Sequence, residues 1–280
     1  MEKSKHQFEK TKTESTVSLR TAMERKTVVI TGSTRGIGHG MAIQLLERGH
    51  QVIINGRSDD RLAERLKEFR DHGFHAEGVV GDVALPDTHR TLIEKAVSRF
   101  HKIDIWINNA GVPQSYRYFH DLENCEIEAL ISVNIEGVMA GTRAALEFFR
   151  RQGFGKVFNM EGLGSDGRIL EKLSVYGTTK RAVNYFTKAV ARELGKENIQ
   201  VGILSPGMVR TDFIRDPMKD GNPEELARFN KVREILVEDV EKVTEFLVEK
   251  ILVSKKKYDR IEYLTFRRMM PKILKLALVR

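Results

Sequence analysis

Tyr176 and Lys180 stand four residues apart in SVYGTTKRAVNYF, at the start of a segment with helical periodicity. In a helix that spacing puts both side chains on one face, about 6 Å apart along the axis. A phenol releases its proton near pH 10, so proton exchange at neutral pH requires lowering that value by ~3 units, worth about 4 kcal/mol. A neighbouring ammonium and a cationic ligand supply stabilisation of this kind. The pair therefore reads as a proton donor and its tuning charge. A core tyrosine beside a surface lysine is the alternative reading of the same spacing.

Thr31 to Gly38 read TGSTRGIG, directly after a β-branched run and directly before apolar residues at helical spacing. Gly32, Gly36 and Gly38 let the backbone turn tightly and approach a pyrophosphate. The helix that follows presents free N–H groups and the positive end of its dipole. With Ser33, Arg35 and Ile37 completing the turn, the segment reads as a dinucleotide-binding turn, a plain strand-to-helix turn being the alternative. The next strand ends Asn55-Gly56-Arg57, where an acid ordinarily holds the adenosine ribose 2′-hydroxyl. Arg57 and Arg35 instead offer two guanidinium groups to a 2′-phosphate, which favours NADP(H) over NAD(H). Two solvated surface arginines are the alternative.

The elements that must carry these residues alternate along the chain. KTVVITG, QVIINGR, FHAEGVVGDV, KIDIWINN, GKVFNME and IQVGILSPG read as strands. Helical stretches separate them, among them Asp59 to His72, Pro86 to Phe100, a long region from Asp121 to Arg150, and Ser174 to Gly195. Strands joined by crossover helices imply a parallel sheet with right-handed connections. The fold class expected is α/β: a single doubly wound Rossmann domain over residues 24–266, with a parallel sheet of about seven strands flanked by helices. A helix from Val237 to Val253 and a strand at RIEYLTF complete it. Residues 208–237, with two Pro-containing turns, leave the sixth strand where such a sheet places its ligand crevice, and are expected to form a substrate lid, an inert surface excursion being the alternative. Residues 1–23 are an N-terminal extension and 267–280 a tail.

With 41% hydrophobic and 31% charged residues, the 280-residue chain has the balance of a globular protein. Its one cysteine, Cys125, excludes an internal disulfide framework and CxxC motifs, and no metal site is expected. No apolar run approaches the ~20 residues of a membrane span, and the first twenty residues match no secretory or transit pattern, so a cytoplasmic location is expected. The formal charge of +8 is uneven: residues 1–20 carry +2 and residues 251–280 carry +7, which leaves the middle at -1. From Met269 onward, apolar residues fall on one helical face among basic ones. That pattern suits either a peripheral contact with an anionic membrane or docking against protein. Nucleic acid is not expected as a partner, since no basic stripe interleaved with aromatics appears elsewhere.

With NNAG at Asn108 to Gly111 and Pro206-Gly207 after the sixth strand, the sequence resembles the short-chain dehydrogenase/reductase family over nearly all of its length except the two tails. The resemblance implies hydride transfer between a nicotinamide cofactor and a small-molecule carbonyl or alcohol substrate, by a homodimer or homotetramer. It makes Tyr176 the acid/base and Lys180 the residue that binds the nicotinamide ribose and depresses the tyrosine's pKa. Asn134 would hold a relay water. Asp82 and Val83 would lie by the adenine, and Asn109, Ala110 and Gly111 along the cofactor. Val209 and Thr211 would sit near the carboxamide, with Pro206 and Gly207 also on the cofactor.

One position departs from the family's pattern. A serine usually stands three residues after the strand asparagine, or thirteen before the tyrosine; those counts reach Gly162 and Leu163. Three outcomes follow: Ser165, eleven residues before the tyrosine, reaches in; or a backbone N–H replaces the serine; or turnover is slow, since losing one such donor can cost ~10²-fold. The run NMEGLGSDG with VYGTTK, LSPGMVRTD and IEYLTFRRMMPKIL is similar to the chlorophyll b reductase branch of the family. That likeness implies a formyl-chlorin substrate. A different ketone, steroid or acyl substrate, and a catalytically weak NADP(H)-binding scaffold, are the alternatives.

Overall fold

The computed structural model describes residues 24–169, 171–211 and 236–271. Seven strands form one sheet: β1 (Thr27–Ile30), β2 (Gln51–Gly56), β3 (Ala76–Val80), β4 (Ile105–Asn108), β5 (Gly155–Met160), β6 (Ile199–Ser205) and β7 (Arg260–Glu262). Their order is β3-β2-β1-β4-β5-β6-β7 and every pairing is parallel. The chain builds outward from β1 to β3, returns to β4 beside β1, and then builds the other way. The connections after β1 and β4 therefore diverge, which opens a crevice at the C-terminal ends of these two strands.

Near-continuous apolar strands fit this arrangement because both faces of the sheet are covered. Val28, Ile30, Val52, Ile54 and Ile107 pack on one side with α1 (Gly36–Glu47) and α7 (Val240–Val253). Val29, Ile53, Trp106 and Val157 pack on the other with α3 (Pro86–Phe100) and α5 (Gly137–Gln152). α2 (Asp59–Asp71), α4 (Asn124–Ile131) and α6 (Ser174–Glu193) complete the helices of the crossovers. Where α1 crosses α7, a Cβ on Gly40 would come within 2.8 Å of Val240 Cγ1, so glycine permits the close approach.

The single long helical region expected from Asp121 to Arg150 is divided. A 3₁₀ turn (Phe119–Asp121) precedes α4, and a π-helical turn (Ser132–Glu136) joins α4 to α5. That turn carries Asn134, fully buried, with its amide aimed at the loop after β4. Apolar periodicity does not report one extra residue in a helical turn, but a side chain that must meet another element can stabilise it.

Of the expected lid, residues 212–235 lie outside the described residues. Its two ends meet: Val209 bridges to Glu238, with Glu238 N donating to Met208 O and Arg210 N to Glu238 O, both at 2.9 Å. The N-terminal extension, residues 1–23, and tail residues 272–280 also lie outside the described part. At the start of the tail, the Arg268 guanidinium sits over the rings of Phe246 and Tyr263, 4.5 and 4.2 Å from their centroids. This stretch is docked on its own domain. Among the described residues, no helix is long and apolar enough to cross a membrane.

Candidate active site

A cavity of about 400 Å³ occupies the crevice above β1 and β4. At one end lies the Thr31–Gly38 turn. Gly32 and Gly36 have φ of +60° and +58°, a backbone conformation that glycine takes without strain. A Cβ on Gly32 would stand 2.7 Å from Ala110 Cα, so the turn and the loop after β4 are in backbone contact. Hydrogen bonds fasten them: Thr31 Oγ1 accepts from the N–H groups of Asn109 and Ala110, both at 3.1 Å. Asn109 Nδ2 donates to the carbonyls of Thr31 and Gly32 at 3.0 and 2.9 Å.

Gly32, Arg35, Gly36 and Ile37 line the cavity, as do Asn109, Ala110 and Gly111. Ser33 and Gly38 do not. The Ser33 hydroxyl is spent inside the protein, donating to Ile30 O at 2.7 Å and accepting from Asn55 N at 3.0 Å. Gly38 lacks room for a side chain, since its Cβ would lie 2.5 Å from Asn109 Nδ2. Both shape the cradle from behind.

Toward the end of β2 the wall carries Arg57, Asp82 and Val83, joined by three residues that sequence reasoning missed: Thr34, Ser58 and Arg61. A Cβ on Gly56 would lie 2.6 Å from Thr34 Cγ2. Thr34 therefore fills the space into which an acid at the end of β2 would grow. Arg57 Nη1 lies 3.8 Å from Asp82 Oδ2, both partly solvated.

At the other end, Tyr176 and Lys180 rise from the first turns of α6, both buried. Leu173, before the helix, supplies no side-chain cap. The buried Gln114 does so from another loop: its Oε1 accepts from Tyr176 N at 2.8 Å, and its Nε2 donates to Lys172 O at 3.1 Å. One of the helix's otherwise unpaired N–H groups is thus satisfied at the residue whose side chain must be aimed. A lone glutamine in a loop gives no sequence signal for that role. Lys180 Nζ donates to Met160 O at 3.4 Å and lies 5.7 Å from the Tyr176 ring centroid.

Asn134 stands just behind the cavity wall. Its Nδ2 donates to Val112 O at 3.0 Å and Thr179 Oγ1 at 3.3 Å, and its Oδ1 accepts from Val112 N at 2.8 Å. A Cβ on Gly111 would sit 3.2 Å from Asn134 Oδ1 and 3.5 Å from Lys180 Nζ, so the three residues meet. Pro206, Gly207, Val209 and Thr211 line the cavity beside them.

Ser165 does not reach the site. It is buried outside the cavity wall, its N–H donating to Gly162 O at 3.2 Å and its carbonyl accepting from Arg181 Nη1 at 2.9 Å. The reason is local packing: Gly164, at φ +89°, lies against Gly177 of α6, where a Cβ would be 2.7 Å from the Gly177 Cα. This contact turns the tract away before Ser165. Gly162 and Leu163 line the cavity in its place, and a Cβ on Gly162 would lie only 2.4 Å from Tyr176 Oη. The tyrosine hydroxyl occupies the space that a side chain at position 162 would need.

Burial sets the charges. It pushes the Tyr176 phenol above its usual value, and it pulls the Lys180 ammonium down to about 8 against an opposing pull from Glu161. For both groups loss of hydration is the leading cause.

The sequence profile described as short chain dehydrogenase matches residues 26–221. The chain belongs to the short-chain dehydrogenase family. Among its relatives is a chloroplastic chlorophyll(ide) b reductase NOL from Oryza sativa subsp. japonica, 36% identical over 233 residues that make up 80% of this chain and 66% of that protein. The chain spans about half the length of a related chlorophyll(ide) b reductase described as probable, NYC1 of Arabidopsis thaliana. Among solved structures, a 3-ketoacyl-(acyl-carrier-protein) reductase from Brucella melitensis complexed with NADH has a TM-score of 0.75 at 26% identity, over 88% of this chain and 100% of that one. A gluconate 5-dehydrogenase from Burkholderia cenocepacia J2315, in complex with NADP and tartrate, has a TM-score of 0.72 at 28% identity, over 86% and 94%. This short-chain dehydrogenase thus shares its fold with structures solved in complex with NADH and with NADP.

Proposed function

We propose that the protein is an NADP(H)-dependent carbonyl reductase whose substrate bears a formyl group on an extended, largely apolar ring, as in a formyl-chlorin. The observation that carries this reading is the convergence of Tyr176, Lys180 and Asn134 at one end of a cavity whose other end carries Arg35, Arg57 and Arg61. The glycine cradle, whose Gly32 and Gly36 hold positive φ at the cavity wall, fits a pyrophosphate. Thr34 in the space of an acid, together with the arginines, favours a 2′-phosphate over a free ribose hydroxyl. Beyond Tyr176 the wall is apolar and aromatic, with Tyr116, Leu163, Leu173 and Met208. The chlorophyll(ide) b reductases among the relatives support a chlorin in that space.

When bound, the reduced nicotinamide supplies a hydride to the carbonyl carbon. Tyr176 Oη gives its proton to the carbonyl oxygen, so that the product is an alcohol. Lys180 holds the ribose and stabilises the tyrosinate left behind, and Asn134 anchors the Val112 loop against α6. The hydrogen bond that a serine gives elsewhere in the family falls to backbone N–H groups at Gly162 and Leu163, beside Tyr176 Oη. Tyr176→Phe should abolish NADPH oxidation across a panel of formyl-chlorins, aldehydes and ketones while leaving NADPH binding within about threefold. Turnover that survives the change would end the catalytic assignment. Turnover confined to small ketones would keep the chemistry and overturn the chlorin.

A further inference from the structure

Glu161 lies immediately before Gly162 at the end of β5, and its side chain is 1% exposed. Oε1 accepts from Arg260 of β7, at 2.7 Å from Nη2 and 3.2 Å from Nε. Oε2 accepts from Asn184 Nδ2 at 2.9 Å. Asn184 follows Lys180 by four residues, as Lys180 follows Tyr176, so the three share one buried stripe of α6. The helix face that carries the proton donor and its ammonium therefore also grips this carboxylate.

Lys180 lies along the backbone on both sides of Glu161. Its Nζ donates to Met160 O, and a Cβ on Gly162 would lie 3.4 Å from its Cγ. Among the described residues, Lys180 forms no ion pair at contact distance, and Glu161 is the carboxylate whose field acts on it. A buried ammonium needs such a field, since desolvation otherwise favours its neutral form. The other charged or titratable groups facing Glu161 are Arg260, itself 3.5 Å from Glu262, and Tyr258, whose hydroxyl is buried. One carboxylate thus grips a half-exposed guanidinium at the edge of the sheet and the Asn184 amide one helical turn beyond the internal ammonium.

We propose that Glu161 is a positioning residue that keeps the Lys180 ammonium charged, and that Arg260 sets how much of the Glu161 charge Lys180 receives. The inference rests on Lys180 as the ammonium of the site, so its test reads that protonation directly rather than turnover. In protein carrying lysine labelled with ¹³C at Cε, the Lys180 resonance is identified by its loss in Lys180→Arg and followed against pH. Removing the carboxylate charge with Glu161→Gln should lower the Lys180 midpoint by about one pH unit. Arg260→Gln should raise it, because the carboxylate then faces the lysine alone, and Glu161→Asp should stay near the parent protein. A Lys180 midpoint that moves in neither Glu161→Gln nor Arg260→Gln overturns the proposal. Should Glu161→Gln fail to fold, Arg260→Gln decides alone: a rise supports the proposal, and no rise overturns it. If Tyr176→Phe retains turnover while these midpoints move as stated, the catalytic reading has failed and the charge relation stands.

Discussion

Restoring a side chain where the family usually carries serine should damage this protein. A Cβ added to Gly162 would stand 2.4 Å from Tyr176 Oη, whereas an ordinary contact begins near 3.4 Å. The hydroxyl or the β5 loop must therefore give way by about 1 Å. The loop has little freedom, because Glu161 N is tied to Leu204 O at 3.0 Å and the Glu161 carboxylate to Arg260 and Asn184. The tyrosine backbone is tied by Gln114, so the ring itself must turn. Displacing a reacting group by about 1 Å costs on the order of 10²-fold in rate, and overpacking of this kind costs about 1–3 kcal/mol of stability. Gly162→Ala and Gly162→Ser should accordingly each lower kcat/KM for carbonyl reduction by roughly 10²-fold, with NADPH affinity changed far less. Steady-state kinetics, fluorescence titration of NADPH and urea denaturation measure the three quantities. An increase in kcat/KM in Gly162→Ser would refute the reasoning, since it would mean that the tyrosine yields easily and that the site lacked only the hydroxyl.

Two further outcomes follow. Arg57→Ala should weaken NADPH binding by about tenfold or more while leaving NADH binding nearly unchanged, since a charge-assisted hydrogen bond contributes about 1.5–3 kcal/mol; equal losses for both cofactors would remove Arg57 from the 2′-phosphate. Lys180 is pulled down to about 8 from 10.5 by burial, so between these pH values the unfolded chain holds more protons there than the folded one, and stability rises with pH. Tyr176, raised by burial, acts with the opposite sign above about pH 10. Urea denaturation from pH 7 to 10 should show the rise in the parent protein and its loss in Lys180→Met; parallel curves would refute it.

The sheet was legible because each strand is a short β-branched run that closes on a turn signal, and every expected strand from KTVVITG to RIEYLTF has a counterpart. The cradle was legible for a similar reason: Gly32 and Gly36 need positive φ, a demand that one residue type meets. The roles of Ser33 and Gly38 were not, because the same short side chains serve a ligand or a backbone equally well. Only the position of Asn55 and Asn109 around the turn shows that they serve the backbone. Among the three outcomes at the missing serine the sequence does not choose, because spacing along the chain carries no information about the Gly164–Gly177 contact that diverts the tract before Ser165. Gln114 and Glu161 gave no signal, since each works through partners at least 23 residues away.

By itself the sequence determined the order of strands and helices, the glycine cradle, and the Tyr176–Lys180 stripe, all of which depend on residues near one another in the chain. Tertiary structure decided the space and the charge at the site. It set Thr34 where an acid would stand, Tyr176 Oη where a serine would stand, and the Glu161 carboxylate on Arg260 and Asn184. Excluded volume and desolvation act between segments that only folding brings together, so neither is written in local spacing.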